Sequence, residues 1–297
     1  MAKLSSPHFL CIGAAKSATT SLFNILKQHP LISVSSFKEP HFFDISDNYN
    51  KGKEWYLRSY FSNASPSNIL GEFTPTYLSS PLSPKRIVET FGTEMKFIVL
   101  LRNPIDRAYS HYLHTKRDEH ESLEFMEALL KETDRLKEAD EITRFRYSYV
   151  NQGKYAQHIS NYLNYFSIDK FHFVLFEDFV EKKLKTIQEI LYFLDLPNYE
   201  KLDLSVESNK ASVAKSRKLK RFIKNDSVFK RIAKVILPSL VLRQKIRNII
   251  HALNNKETVK KSFLKKDREL IYTKFFKQEI QMLEKMLNLD LNNWKEC

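Results

Sequence analysis

Residues 9–22 read FLCIGAAKSATTSL, a short apolar run followed by a small-residue loop and a hydroxyl-rich segment. Phe9–Ile12 has the composition of a strand buried on both faces, and Gly13 ends it. Gly13, Ala14, Lys16 and Ser17 form a loop that leads through Ala18 into a helix start carrying Thr19, Thr20 and Ser21. Free N–H groups at the helix N-terminus, the hydroxyls and one ammonium converge there on a single anion. Nucleotide triphosphatase loops place Gly-Lys-Ser/Thr at their end, whereas Lys16 follows soon after Gly13. The loop therefore suits a phosphate-like group without Walker-type ATP chemistry. A Ser/Thr-rich turn capping a core helix is the plainer alternative.

Three further segments bear on that choice. In KFIVLLRNPIDRAYSHY (96–112), Phe97–Leu101 reads as a buried parallel strand, with Arg102 at its carboxyl end, where open α/β sheets bind ligands. Asn103 is a good N-cap and Pro104 a good first helical residue, so Arg102 and Ser110 can clamp a second phosphate. Simple pairing of Arg102 with Asp106 at the helix start is the alternative. In KEPHFFD (38–44), Pro40 is expected to hold Glu39 extended, which turns Glu39 and His41 to one side. A surface ion pair of Lys38 with Glu39 is the plainer reading there. The third segment, GEFTPTY (71–77), is extended and closed by Pro75. The chain has only five glycines, and Gly13, Gly71 and Gly153 each open one of the segments singled out, consistent with close backbone approach.

Taken together, GAAKSATTSL (13–22), KEPHFFD, GEFTPTYL (71–78), LLRNPIDRAYSHY (100–112), GKYAQHISNYLNYF (153–166), FVLFEDF (173–179) and LEKMLNLDLNNW (283–294) resemble the PAPS-dependent sulfotransferase family. KEPHFFD points to its carbohydrate-modifying, heparan-sulfate-like branch, stand-alone bacterial-type enzymes included. The resemblance implies that Gly13, Ala14, Lys16, Ser17, Ala18, Thr19, Thr20 and Ser21 hold the 5′-phosphosulfate of 3′-phosphoadenosine 5′-phosphosulfate (PAPS). It gives the 3′-phosphate to Arg102 and Ser110, adds Tyr155 to the nucleotide site, and makes Glu39 the general base. A basic loop near the C-terminus is the family's third nucleotide contact, and Lys215 and Arg217 are the nearest match. Two positions depart from the pattern. Ala18 replaces a glycine, which fits if that residue has helical dihedrals, and Phe73 replaces a lysine that stands near the reacting sulfate in the heparan sulfate enzymes.

A chain of 297 residues with 42% hydrophobic content can bury a sizeable core, and a single α/β domain over 1–297 is expected. The expected order is strand 8–12, helix 19–28, the extended 38–44 segment, helix around 55–61, strand 69–73, helix 83–91, strand 96–101 and helix 104–117. An amphipathic helix over 122–138, helix 154–166, strand 171–176, helix 181–194 and a mainly helical C-terminal third complete it. Strands alternating with helices imply a central parallel sheet covered by helices on both faces, the sulfotransferase relative of the P-loop kinase fold. No apolar run approaches the roughly 20 residues of a spanning helix, and no secretory apolar core opens the chain. With two cysteines and no disulfide framework, a reducing, cytoplasmic setting is expected.

The net charge of +13 is uneven, with twelve Lys or Arg against one acid in residues 215–247. This basic helical subregion (215–250) has three readings: contact with donor phosphates at its start, peripheral contact of 222–247 with an anionic inner membrane surface or acidic glycan, or a solvated basic face. No nucleic-acid motif accompanies it, so nucleic acid is not an expected partner. His111 and His114 share a helix turn without a third ligand nearby, and neither a metal site nor a metal requirement is expected.

The chemistry these residues suggest is in-line sulfuryl transfer to a hydroxyl or amine of a carbohydrate, glycolipid or hydroxylated metabolite. Glu39 acts as base with His41 as the rival, and Lys16 faces the leaving phosphate. The competing classes are an ATP-dependent small-molecule kinase of related fold and a non-enzymatic basic protein that binds nucleotides or membranes. Acceptor choice is expected to depend on residues 45–66 and 116–150.

Overall fold

The computed structural model describes residues 6–65, 68–206, 212–214, 255–257 and 265–295. The chain divides into two compact units, residues 1–208 with 263–297, and residues 209–262. Within the second unit, Ser212–Ala214 and Asn255–Glu257 pair as antiparallel strands. Lys215, Arg217 and the basic 222–247 stretch lie outside the described residues.

Five parallel strands form the sheet of the first unit: β1 (Phe9–Gly13), β2 (Ile32–Val34), β3 (Ile69–Phe73), β4 (Lys96–Leu101) and β5 (Phe171–Leu175), in the order β2-β3-β1-β4-β5. Side chains alternate across the two faces. Leu10, Ile12, Phe97, Val99 and Leu101 join one core, against the Pro104–Arg117, Tyr155–Leu163 and Lys277–Leu287 helices. Phe9, Cys11, Phe73, Ile98 and Leu100 join the other, against the Thr19–Leu26 and Lys183–Phe193 helices. Both faces are thus covered, which explains why β1 and β4 read as continuous apolar runs. Of the mainly helical C-terminal third, the described helices are Lys265–Ile271, Lys277–Leu287 and Asn292–Lys295, and the Ser212–Ala214 and Asn255–Glu257 strands were not expected.

Most expected elements stand where the pattern put them, but the Ser46–Tyr49 and Glu141–Tyr147 helices were not expected, and other elements differ as well. β2 is additional, a three-residue edge strand that pairs with β3 from Ile32 opposite Ile69. The helix expected over 122–138 is broken at Lys131 into Phe125–Leu130 and Glu132–Leu136. The 154–166 and 181–194 helices are shorter, and Phe176–Glu181 is a separate helix directly after β5.

Two glycines are set by close approach. A Cβ on Gly13 would stand 2.7 Å from Leu78 Cβ. Gly71 lies opposite Phe9 in the β1–β3 register, and a Cβ there would run into the Phe9 ring. Gly71→Ala is therefore expected to destabilise the fold by roughly 2–3 kcal/mol through overpacking, read as a lower denaturant midpoint at unchanged slope. An unaltered midpoint would mean that the Phe9 ring moves aside freely.

Candidate functional site

The carboxyl ends of β1, β3 and β4 deliver three loops to one edge of the sheet, as expected for an open α/β fold. After β1, Ala14 N–H donates to the Leu100 carbonyl at 2.7 Å, so that amide is committed to the fold. Lys16 and Ala18 both adopt positive φ, at 72° and 64°, and the Thr19–Leu26 helix begins directly after them. The right-handed helical dihedrals that would let Ala18 replace a glycine without strain are not found, because the loop turns left-handed there (φ 64°, ψ 16°). The side chain of its N-cap residue does not cap this helix and no acid lies in its first turn, so the helix start itself brings no carboxylate to compete with an incoming anion. Ser17 is fully buried, and among the described residues its Oγ has no hydrogen-bond partner. Thr19 and Ser21 are buried and Thr20 is half-buried beside it.

After β4, Arg102 reaches back to this loop. Its Nη1 donates to the Lys16 carbonyl at 3.0 Å, and its guanidinium lies 4.5 Å from the centre of the Phe176 ring. The Arg102–Asp106 pairing allowed by sequence does not form. Asp106 pairs instead with Arg268 at 2.8 Å. Tyr155 sits behind Arg102, donating its hydroxyl to the Arg102 carbonyl at 2.9 Å. Ser110 is half-buried one helical stretch further on, in the helix that Asn103 caps through the Ile105 amide.

The 38–44 segment faces the same edge. Glu39 is not extended. It has φ 64° and His41 has φ 51°, so four of the seven described non-glycine residues with positive φ are Lys16, Ala18, Glu39 and His41. Such backbone costs of order 1–3 kcal/mol per residue and concentrates at functional sites. The local preference imposed by Pro40 is overridden by tertiary ties, among them Glu39 N–H donating to the Phe73 carbonyl at 3.0 Å. Glu39 and His41 nevertheless meet, with Oε2 and Nε2 at 3.7 Å, and the Lys38–Glu39 ion pair is present as well, at 2.7 Å.

Asp44, buried and not singled out from sequence, completes the cluster. His41 Nδ1 lies 3.0 Å from Asp44 Oδ2, which also accepts from Thr76 Oγ1 at 2.5 Å. The His-x-x-Asp spacing was the available signal. Burial opposes charge on His41, but Asp44 and Glu39 outweigh it and push its pKa up to about 10. Burial likewise opposes the Glu39 carboxylate, and Lys38 with His41 overcomes it, holding the group well below the usual carboxylate range. Lys16 is lowered to about 8, first by burial, then by Arg117, with Glu39 opposing. His114 falls to about 4 through burial and the nearby Lys16 and Arg117. Ser110, His114 and Arg117 follow an i, i+4, i+7 stripe; from sequence, His114 is weighed only with His111 as a metal pair and Arg117 is not singled out.

Phe73, the position at which the resemblance leads one to expect a lysine, is fully buried in the sheet core, edge-on to Phe9 and Phe23. Both segments expected to govern the acceptor border His41. Asn48 Nδ2 donates to the His41 carbonyl at 3.0 Å, and the Phe145 ring stacks on the imidazole at 6.1 Å.

The site is thus an open parallel α/β sheet with an anion-ready loop after its first strand and an acid–imidazole cluster across from it. Residues 6–236 match the sulfotransferase domain family, and the chain belongs to it. It is 30% identical to the Homo sapiens heparan sulfate glucosamine 3-O-sulfotransferase 5 over 194 residues, 64% of this chain and 54% of that protein. It is also 30% identical over 202 residues to the Caenorhabditis elegans bifunctional heparan sulfate N-deacetylase/N-sulfotransferase 1, covering 66% of this chain and 23% of that one. This chain thus spans about half the length of the first relative and less than a quarter of the second. Among solved structures, a sulfotransferase from Alicyclobacillus acidocaldarius superposes with a TM-score of 0.68 at 26% identity, covering 98% of this chain and 99% of that one.

Proposed function

We propose that this protein transfers a sulfuryl group from PAPS to a hydroxyl or amine of a carbohydrate. The observation that carries the reading is the Glu39 carboxylate, which stands 3.7 Å from a cationic His41 and acts on the charge of Lys16. The relatives' names, which specify heparan sulfate glucosamine, make an amino-sugar glycan the first acceptor to test.

The residues present fit the donor. The orphaned, buried Ser17 Oγ and the uncapped helix N-terminus are what an incoming phosphosulfate would satisfy. When bound, the donor supplies a sulfuryl group attached to a phosphate leaving group. Glu39 takes the proton of the attacking hydroxyl, and Lys16 with the helix N-terminus offsets the negative charge that grows on the departing phosphate oxygen. Arg102 and Ser110 hold the 3′-phosphate. His41, already protonated and held by Asp44, orients Glu39 and is ill-suited to act as the base. This reaction needs no metal.

The test is a thermal-shift comparison followed by transfer of labelled sulfate to heparan sulfate, glycolipids and small hydroxylated metabolites. The product nucleotide 3′,5′-bisphosphate (PAP), at about 100 times its dissociation constant, should add roughly 2.7 kcal/mol of stability, and ATP with Mg²⁺ should add little. A larger shift with ATP–Mg²⁺ would favour the kinase class.

A further inference from the structure

Behind the candidate base lies a carboxyl group that the proposed reaction does not use. Glu72, in β3, has no exposed surface, and among the described residues no cation forms an ion pair with it. Three hydroxyls donate to it instead. Tyr56 Oη (2.5 Å) and Tyr77 Oη (3.3 Å) bond Oε2, and Thr74 Oγ1 (2.5 Å) bonds Oε1. Because Tyr77 gives its proton to Glu72, its oxygen lone pairs are left to accept the amides of Phe42 (2.9 Å) and Phe43 (3.4 Å). These amides directly follow His41, in the stretch where Glu39 and His41 hold positive φ. The same neighbourhood adds Tyr60 Oη donating to the Pro40 carbonyl at 3.3 Å and Thr76 donating to Asp44.

We propose that Glu72 is a positioning residue, which holds Glu39 and His41 in their working geometry through the hydroxyl of Tyr77. The proposal rests on the assignment of Glu39 as base. A carboxylate is the group this cluster requires, since all three neighbours present protons to it. Once Glu72 takes a proton, its own O–H meets three groups that are already donating, and one hydroxyl must turn. If Tyr77 turns, its proton competes with the Phe42 amide and the 39–44 segment loosens.

The setting also makes the link sensitive to pH. Burial pushes Glu72 up to about 7, against the three hydroxyls, with the Asp44 carboxylate adding to the rise. The groups facing it are Cys11 from β1, Asp44, Tyr56 and Tyr60 from the Gly52–Phe61 helix, Tyr77, and Tyr162 from the Tyr155–Leu163 helix. The tyrosines and Cys11 are themselves pushed upward and stay neutral where Glu72 titrates. Glu39 is held far below this range, so of these two carboxyls Glu72 is the one that would give an acid limb near pH 7.

The test compares Glu72→Gln and Tyr77→Phe with the wild type in the full chain. Hydrogen exchange at the Phe42 and Phe43 amides should speed up about tenfold in both variants, with the β4 amides of Val99–Leu101 unchanged. PAP affinity should stay within about twofold, while PAP release from PAPS, with heparan sulfate or water as acceptor, falls about tenfold at pH 8. Glu72→Gln should also lose the acid limb of the rate profile and keep the basic one. Unchanged exchange at Phe42 in both variants would overturn the proposal, as would an acid limb that persists in Glu72→Gln. Faster exchange throughout β4 would also overturn it, by making Glu72 a general stability residue. The exchange measurement needs no acceptor, so it reads the Glu72 link even if Glu39→Gln proves active and the base assignment fails.

Discussion

Glu39→Gln is expected to lower turnover by about 10²–10⁴ while PAP affinity stays near that of the wild type. Glutamine keeps the size of the side chain and a hydrogen-bonding end, but it cannot take the acceptor proton. Lys38 and His41 keep the native carboxyl ionised at every working pH, so the loss should be seen across the whole profile. His41→Ala should cost less, because a cation held between Asp44 and Glu39 orients the carboxylate and has no free site for a proton. Measuring kcat and PAP binding on both variants separates the roles. An active Glu39→Gln beside an inactive His41→Ala would reverse the assignment.

Lys16→Ala is expected to cost about 10²–10³ in turnover, because its charge counts most when the leaving oxygen becomes negative. The native lysine adds a pH signature. Burial and Arg117 lower it to about 8, so the ammonium is complete below that pH and is lost as pH rises through it. The rate should fall on the same limb. Lys16→Arg stays charged over that range and should lose the limb even if its rate is reduced. Normal turnover in Lys16→Ala would make the loop a structural turn.

Much of the fold could be read from the sequence because burial on both faces leaves an unmistakable mark. Phe9–Ile12 and Phe97–Leu101 are continuous apolar runs, and Asn103-Pro104 marks the following helix start. Ile32–Val34 left no such mark, being three residues with a serine at the centre and one neighbouring strand. The split at Lys131 was hidden because both halves keep their apolar residues in helical phase. In the site, the loop lysine, Arg102 and the Glu39–His41 pair were legible as residue types at a spacing. Their geometry was not. Pro40 argued for an extended Glu39, and the outcome was decided by distant groups, the Phe73 carbonyl and the Tyr77 hydroxyl, that no local rule contains. Asp106 was similarly claimed by Arg268, far along the chain. Asp44 and Arg117, and the nearness of His114 to Lys16, required the three-dimensional arrangement to be recognised.

The strand order has a consequence for how the chain is made. Of these five strands β1 is the first to leave the ribosome, yet it occupies the middle of the sheet, with β3 on one side and β4 on the other. One edge of β1 stays open until β3 has been synthesised and the other until β4 has. Non-local parallel pairing of this kind folds slowly and leaves strand edges open to aggregation meanwhile. A nascent chain halted before Leu101 would present Phe9–Ile12 as bait for a chaperone, and the anion loop would have no partner arginine to close against. Nucleotide binding would therefore begin only after β4 has docked, which makes it a late reporter of folding during synthesis.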